Sequence, residues 1–412
     1  MRSVGQWLLL LAALVQFGAT ALPPGNDDLI SIHSLAYDLS RGDTSLLYPG
    51  VNFVRNDQWI AHHEANLRRL GDRGQPNWCF YPPLVPYVMI PWAAASDRTW
   101  RLIWGAIQLG LVVVFALLIE RLLKSAGSPA NRVLILALVI GSFPVARSVE
   151  LGQTSLLMAL FIWCAVYIAH TGQRFGAILL AGVAIFVKPF LMVIAIVDAA
   201  RQRWWNAAGY VAVWLALLAI SVFAVGLHAH QEYWNLLATL GSSQTAFYGN
   251  QSFFGGLFRV FSDLAVKDYG FWSDPTLAWV GRFVAVIILC LAGWAQFKAR
   301  AAEPILSYGL WLSAAALALP ISWEHHLVFV LPALAFLWTL PKTRAEAIIL
   351  VIITALLELR WTFLYGEDLP GRLAANLPLF GNLLLFVYLV SYHLRSSAES
   401  LAGNAREMNV RA

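Results

Sequence analysis

The sequence predicts an all-α, polytopic membrane protein, and three observations carry that expectation. Hydrophobic residues make up 59% of the 412 positions and charged residues only 12%, too few charges for a soluble fold of this size to cover its apolar surface. Apolar runs recur from residue 7 to residue 394. The net charge is a modest +5, and most basic residues stand in short turns between those runs, which signals membrane topology rather than a nucleic-acid patch. Cys79, Cys164 and Cys290 are odd in number, lack metal-type spacing and include two inside apolar runs. They provide neither a disulfide framework nor a zinc site, and no metal or cofactor is expected.

Residues 7–22 follow Arg2 and end in Ala19-Thr20-Ala21, a pattern that fits an uncleaved first helix and also a cleavable signal peptide. A polytopic chain needs a helix here to export the polar residues behind it, which favours the first. Residues 23–84 form that long polar loop, expected on the extracytoplasmic side. Within it, Leu29, Ile32, Leu35, Ala36 and Leu39 recur at helical spacing, with Asn26, Asp27 or Asp28 as N-cap and Gly42 as the stop. This predicts a short amphipathic helix on the membrane surface, with Asp28 at its N-terminal end. A loop bearing Arg55, His62, His63, Arg68, Arg69 and Arg73 leads on to Tyr81-Pro82-Pro83-Leu84.

Residues 85–95 contain Pro86 and Pro91 and fall short of the roughly 20 residues that a spanning helix requires, so they read as a re-entrant or interfacial segment. Counting them as a span would put Arg121, Lys124 and Arg132 outside, against the positive-inside rule. Left uncounted, 100–123 runs inward, 133–149 outward and 155–169 inward, and 175–187 then goes out. Lys188-Pro189 breaks that run before 190–200 returns to Arg201 and Arg203. A helix broken at depth is tolerated where it lines a polar cavity. Residues 207–227 lead to a second outer loop, 228–275. Runs at 277–297, 305–321, 327–340, 345–359 and 377–394 follow, with Lys298, Arg300, Lys342, Arg344, Arg395 and a tail over 396–412 inside. The expectation is one membrane domain over 1–412 with about twelve membrane segments.

Charge alone selects this threading, yet it gathers the unusual polar motifs on one side: Asp27-Asp28, Tyr81-Pro82-Pro83, Glu150-Leu151-Gly152-Gln153, Lys188-Pro189, Asn250-Gln251-Ser252 and Trp323-Glu324-His325-His326. In this order they resemble the polyprenol-phosphate-mannose-dependent mannosyltransferases of glycosyltransferase family 87, within the GT-C fold group. The resemblance covers nearly the whole chain. It implies inverting transfer of a sugar from a polyprenyl-phosphate donor to a glycolipid or glycan acceptor, at the outer face of a bacterial plasma membrane. In two places the chain departs from the family pattern: the first-loop acid is doubled as Asp27-Asp28, and His33 stands where aromatic residues are common.

Such a transfer needs a base for the acceptor hydroxyl. The family's first-loop aspartate stands about fourteen residues before the helix-ending glycine, which points to Asp28 ahead of Gly42, with Asp27 as the reserve. Both also serve as plausible helix caps. The phosphate leaving group calls for preorganised cations. Lys188 leads, with His325, His326, Arg259 and Arg101 behind it, against the bland alternatives of a snorkelling lysine, structural histidines and headgroup contacts. Adjacent histidines do not both face one site on a helix, nor do they have the i, i+4 spacing of metal ligands. Tyr81, Gln153, Asn250 and Gln251 are the candidates for sugar hydroxyls, the alternative being turn and cap hydrogen bonds. No nucleotide fingerprint precedes a helix, so a nucleotide-sugar donor is not expected. A transporter or lipid flippase is the competing class. It is disfavoured because the motifs lie toward one face and the halves show no relation. A non-catalytic scaffold leaves the ordered motifs unexplained.

Overall fold

A computed structural model describes residues 2–21, 27–49, 57–72, 76, 79–267, 270–300 and 302–411, excluding the side chains of 2–4, 27 and 398–411. Gly25, Asn26, Arg55, Arg73 and the side chain of Asp27 therefore lie outside the described residues. The described chain is helical, with two isolated antiparallel bridges, Gln244 to Trp272 and Asn250 to Trp323.

The helices are α1 (Arg2–Ala21), α2 (Asp27–Ser40), α3 (Asp57–Arg69), α4 (Leu84–Val88), α5 (Asp97–Ser125), α6 (Arg132–Gly141), α7 (Phe143–Glu150), α8 (Ser155–His170), α9 (Arg174–Val187) and α10 (Val193–Ala200). They continue as α11 (Trp204–Val225), α12 (Leu227–Ser242), α13 (Phe253–Phe261), α14 (Pro275–Lys298), α15 (Pro304–Ala318), α16 (Leu331–Thr339), α17 (Arg344–Glu358), α18 (Leu369–Ala374) and α19 (Leu377–Arg411).

Among the described residues, α5, α11, α14 and α19 are long and apolar enough to cross a membrane, and α6 with α7, bent by 54° at their junction, passes the same test only when the two are taken together. About twelve apolar runs were expected. Several of them fold as shorter helices: α8 has 16 residues and α15 has 15, or roughly 24 and 22 Å at 1.5 Å per residue. Hydropathy does not distinguish a helix that faces lipid from one that faces only protein. Every residue of α15 from Pro304 to Leu317 is buried, so its apolar run fills the bundle core.

The breaks have local causes. Ser142 is extended and its hydroxyl accepts from Val145 N–H, while Pro144 cannot continue α6, so the chain restarts as α7 in a new direction. Lys188 is extended at φ −131°, ψ 90°, as the residue before a proline prefers, and a 3₁₀ turn over Pro189–Met192 precedes α10.

The amphipathic helix expected after Leu29 is α2, with Leu29, Ile32, Leu35 and Ala36 buried. It ends at Gly42, φ +73°, where Gly42 N–H and Asp43 N–H donate back to Leu39 and Asp38 carbonyls, a glycine-dependent stop. The two expected loops are more ordered than their polarity suggested. Residues 57–69 form α3, pinned because the His63 ring bonds the Ser34 hydroxyl at 2.7 Å and Leu46 O at 2.8 Å. The 228–275 segment contains α12 and α13. Residues 85–95 hold only α4 and a 3₁₀ turn, Ile90–Trp92, too short to span.

Candidate active site

The six polar motifs are joined by hydrogen bonds at one end of the bundle. Asp28 N–H donates to Leu151 O at 3.3 Å, Glu324 N–H to Gly249 O at 2.8 Å, and Gln251 N–H to Ser322 O at 2.5 Å. Side chains complete the assembly around Asp28, Gln153, Tyr81, Lys188 and His326.

Gly152 aims Gln153. At φ +66°, it lets Gly152 N–H reach Val149 O and Gln153 N–H reach Ser148 O at the end of α7, the paired bonds of a glycine C-cap. From α5, Trp104 Nε1–H donates to Gly152 O at 2.8 Å and Gln108 Nε2–H to Gln153 O at 2.5 Å. The Gln153 amide is thereby held with Nε2–H donating to Asp28 Oδ2 and Oε1 accepting from the Tyr81 hydroxyl at 2.5 Å. Thr154 Oγ1–H and N–H donate to the same hydroxyl. Burial pushes the Tyr81 phenol well above its usual range, and Asp28 adds to that shift, so Tyr81 stays a neutral donor. The carboxylate retains acceptor capacity beyond the Gln153 bond, so Gln153 orients Asp28 without exhausting it.

Lys188 is buried, with Nζ lying 5.3 Å from the Tyr81 ring centre and 3.4 Å from His326 Nε2. Asp28 is the anion that faces it. An ammonium can only donate, so His326 accepts at Nε2 and carries its proton at Nδ1, a buried atom with no partner among the described residues. His325 packs against His326 edge to face at 4.8 Å, and neither of its ring nitrogens has a partner among the described residues. The 3₁₀ turn over Glu324–Val330 turns the two rings apart, so only His326 touches Lys188. Together these groups make a desolvated cationic and donor-rich face opposite Asp28, suited to an anionic oxygen.

Sequence reasoning passed over Arg147, which lies between Glu324 Oε1 at 2.6 Å and Glu150 Oε2 at 2.8 Å. It anchors the strand-like stretch before His325 to α7. The signal was available: an arginine within an apolar run is a functional candidate in a membrane protein.

Four sequence candidates have polar atoms bonded to protein partners, whereas the buried Nη2 of Arg259 has none among the described residues. Arg259, fully buried, donates to Asn376 Oδ1, Phe247 O and Asn250 O at 2.7–2.9 Å. The Asn250 amide bonds Thr245 O, Pro320 O, Ser252 N–H and Ser322 N–H. Gln251 bonds Tyr248 O, Ala375 O and Leu379 N–H. These residues tie α13, α19 and the segment before His325 together. Asn250 and Gln251 read as sugar ligands in the sequence, and Arg259 as a phosphate ligand, because composition cannot tell a side chain facing a ligand from one facing backbone. Arg101 is held by Asp97 at 2.6 Å and Asp72 at 3.0 Å, bracing α5 against the first loop. Gln153, expected to touch sugar, faces the catalytic candidate instead.

Among the described residues one group has metal-ligand chemistry: Asp38, Asp43 and His62, whose ligand atoms lie within 4.8 Å of one another. Asp38 there is already bonded by His62 and by Asn66 Nδ2–H at 2.6 Å, the pattern of an ion-paired brace between α2 and α3.

Comparison with known proteins identifies the family. The sequence pattern of glycosyltransferase family 87 matches residues 78–322. The chain is 27% identical over 340 residues to a polyprenol-phosphate-mannose-dependent α-(1-2)-phosphatidylinositol pentamannoside mannosyltransferase of Mycolicibacterium smegmatis, covering 80% of this chain and 74% of the relative. It is 26% identical over 337 residues to the protein of that name from Mycobacterium tuberculosis, covering 80% and 71%. With the ordered motifs and more than half of its length inside the family match, the chain belongs to glycosyltransferase family 87 and is a membrane glycosyltransferase.

Proposed function

We propose that the protein transfers mannose, with inversion, from polyprenyl-phosphate-mannose to a hydroxyl of a glycolipid or glycan acceptor on the extracytoplasmic face of a bacterial plasma membrane. Asp28 accepts the hydroxyl proton as the new bond to the anomeric carbon forms. The bond from that carbon to the phosphate oxygen breaks, and polyprenyl phosphate leaves toward Lys188, His326 Nδ1–H and His325. Asp27 remains the alternative base. The observation that carries this reading is the opposition of Asp28, oriented by Gln153 and Tyr81, to buried Lys188 with its His326 partner.

The donor and the glycolipid acceptor follow from the names of the relatives. Sidedness rests on charge: Arg121, Lys124, Arg132, Lys298, Arg300, Lys342, Arg344 and Arg395 stand on the side opposite the polar motifs in the expected threading, the side that the positive-inside rule assigns to the cytoplasm. About twelve membrane segments remain our reading of the topology, counting the short apolar helices as parts of the bundle. The test is transfer of labelled mannose by the purified protein to a membrane lipid extract, comparing polyprenyl-phosphate-mannose with a nucleotide-mannose donor. Product with the anomeric configuration opposite to the donor's supports the reading. Product only from the nucleotide sugar, or retained configuration, refutes it.

A further inference from the structure

Away from the site, a cavity of about 980 Å³ lies between α1, α6, α16 and α17. Its walls are mostly apolar, and Leu9, Leu134 and Leu359 on its rim are exposed, so it opens sideways toward lipid. Asn131 and Arg132 mark one end and Gln16 and Glu358 the other. Glu358 is only 3% exposed, yet neither of its carboxyl oxygens has a hydrogen-bond partner of ordinary geometry among the described residues. The Ser142 hydroxyl faces it and, while capping α7 by accepting from Val145 N–H, keeps one proton to donate, which can serve at most one of the two carboxyl oxygens. Gln16 Nε2 donates to Gly141 O and to the backbone carbonyl of Glu358, so it does not serve the carboxyl. An unsatisfied polar group bordering hydrocarbon is costly and marks a site.

Two features limit what fits. The walls accept an alkyl chain, and the carboxyl offers hydrogen-bonding atoms to a hydroxyl-bearing head. The position is equally telling. Glu358 faces Ser142 at the start of α7, and Asp28 N–H bonds Leu151 just past the end of that helix. The eight residues of α7 separate the two by about 12 Å, a span that a glycan head can cover.

We propose that this cavity holds an acyl chain of the glycolipid acceptor, with Glu358 accepting a hydrogen bond from a hydroxyl of its head. This rests on the acceptor class proposed above. The full-length protein in lipid nanodiscs, labelled by a glycolipid with a diazirine in its acyl chain and mapped by peptide mass spectrometry, tests it without turnover. Label is expected on α1 and α6, competed by unlabelled glycolipid. Leu138→Trp, which fills the cavity, should cut that labelling and raise KM for the acylated acceptor by about tenfold. It should leave KM for the donor, and for a water-soluble mannoside acceptor without an acyl chain, unchanged. Glu358→Met, close in length but without a hydrogen-bonding head and so a safeguard if the tryptophan disturbs folding, should weaken labelling in the same sense. Competition by polyprenyl phosphate alone, or label absent from both helices, overturns the proposal. Labelling as expected by a protein that transfers no sugar would refute the reaction and leave this site standing.

Discussion

Asp28→Asn isolates the chemistry from the fold. The amide oxygen of Asn still accepts from Gln153 Nε2–H, and the bond from residue 28 N–H to Leu151 O is a backbone bond, so α2 keeps its place. What is lost is a base, and with it a negative charge in the first turn of α2. Losing a general base costs about 10²–10⁴ in rate, or roughly 3–5 kcal/mol of transition-state stabilisation. Removing a favourable charge from a helix N-terminus costs only about 0.3–1 kcal/mol of stability. The loss should therefore fall in kcat, with KM for the donor within about threefold and the melting temperature nearly unchanged. The assay is single-turnover transfer of labelled mannose from polyprenyl-phosphate-mannose by purified wild type, Asp28→Asn and Asp27→Asn. A folded Asp28→Asn protein with kcat within about fivefold of wild type refutes the assignment. If Asp27→Asn alone fails, the base moves by one residue and the rest of the mechanism stands.

Lys188→Met should lower transfer by about 10²–10³ and weaken binding of polyprenyl phosphate, while stability holds or rises because a desolvated charge is removed. Unchanged binding of that lipid would remove Lys188 from the donor site. Tyr81→Phe leaves Gln153 Oε1 and Thr154 without their partner, with an expected cost of about 1–3 kcal/mol and a fall in kcat but not in donor KM. Arg259→Met strips three acceptors of their donor and should cost about 3–5 kcal/mol. That loss should show as a lower melting temperature, with donor KM unchanged in the folded fraction. A selective rise in donor KM would assign Arg259 to the phosphate site. For acid stability, burial pulls the pKa of His63 from 6.5 down to about 4. The folded form thus binds its proton later than the unfolded chain. Its contribution is present above pH 6.5 and is lost as pH falls toward 4, up to about 3 kcal/mol in all. His33 is shifted to about 4 by the same cause and acts in the same direction. Melting of wild type and His63→Gln at pH 7 and pH 5 checks this; an equal drop in both would exclude His63.

Membrane class, the main helix breaks and the amphipathic α2 were legible in the sequence because each rests on a local rule. Composition sets the solvent, a residue before proline leaves the helical region, and a glycine tolerates the positive φ that closes α2 at Gly42. The order of the polar motifs also named the family. Sequence could not separate an apolar run that crosses lipid from one, such as α15, that fills the core, since both read alike in hydropathy. Nor could it show which polar residues face the cavity. Gln153 reads as a sugar ligand but is turned by Gly152 onto Asp28, whereas Asn250, Gln251 and Arg259 have the composition of a binding site and the contacts of a brace. Arg147 and Glu358 drew no notice as single charges near the ends of apolar helices. The sequence by itself determined the class of solvent, the points where helices break and the residue types available for phosphate and proton chemistry. The tertiary structure alone decided which of them meet, because hydrogen bonds and ion pairs fall off within a few ångströms and their partners here stand tens to hundreds of residues apart.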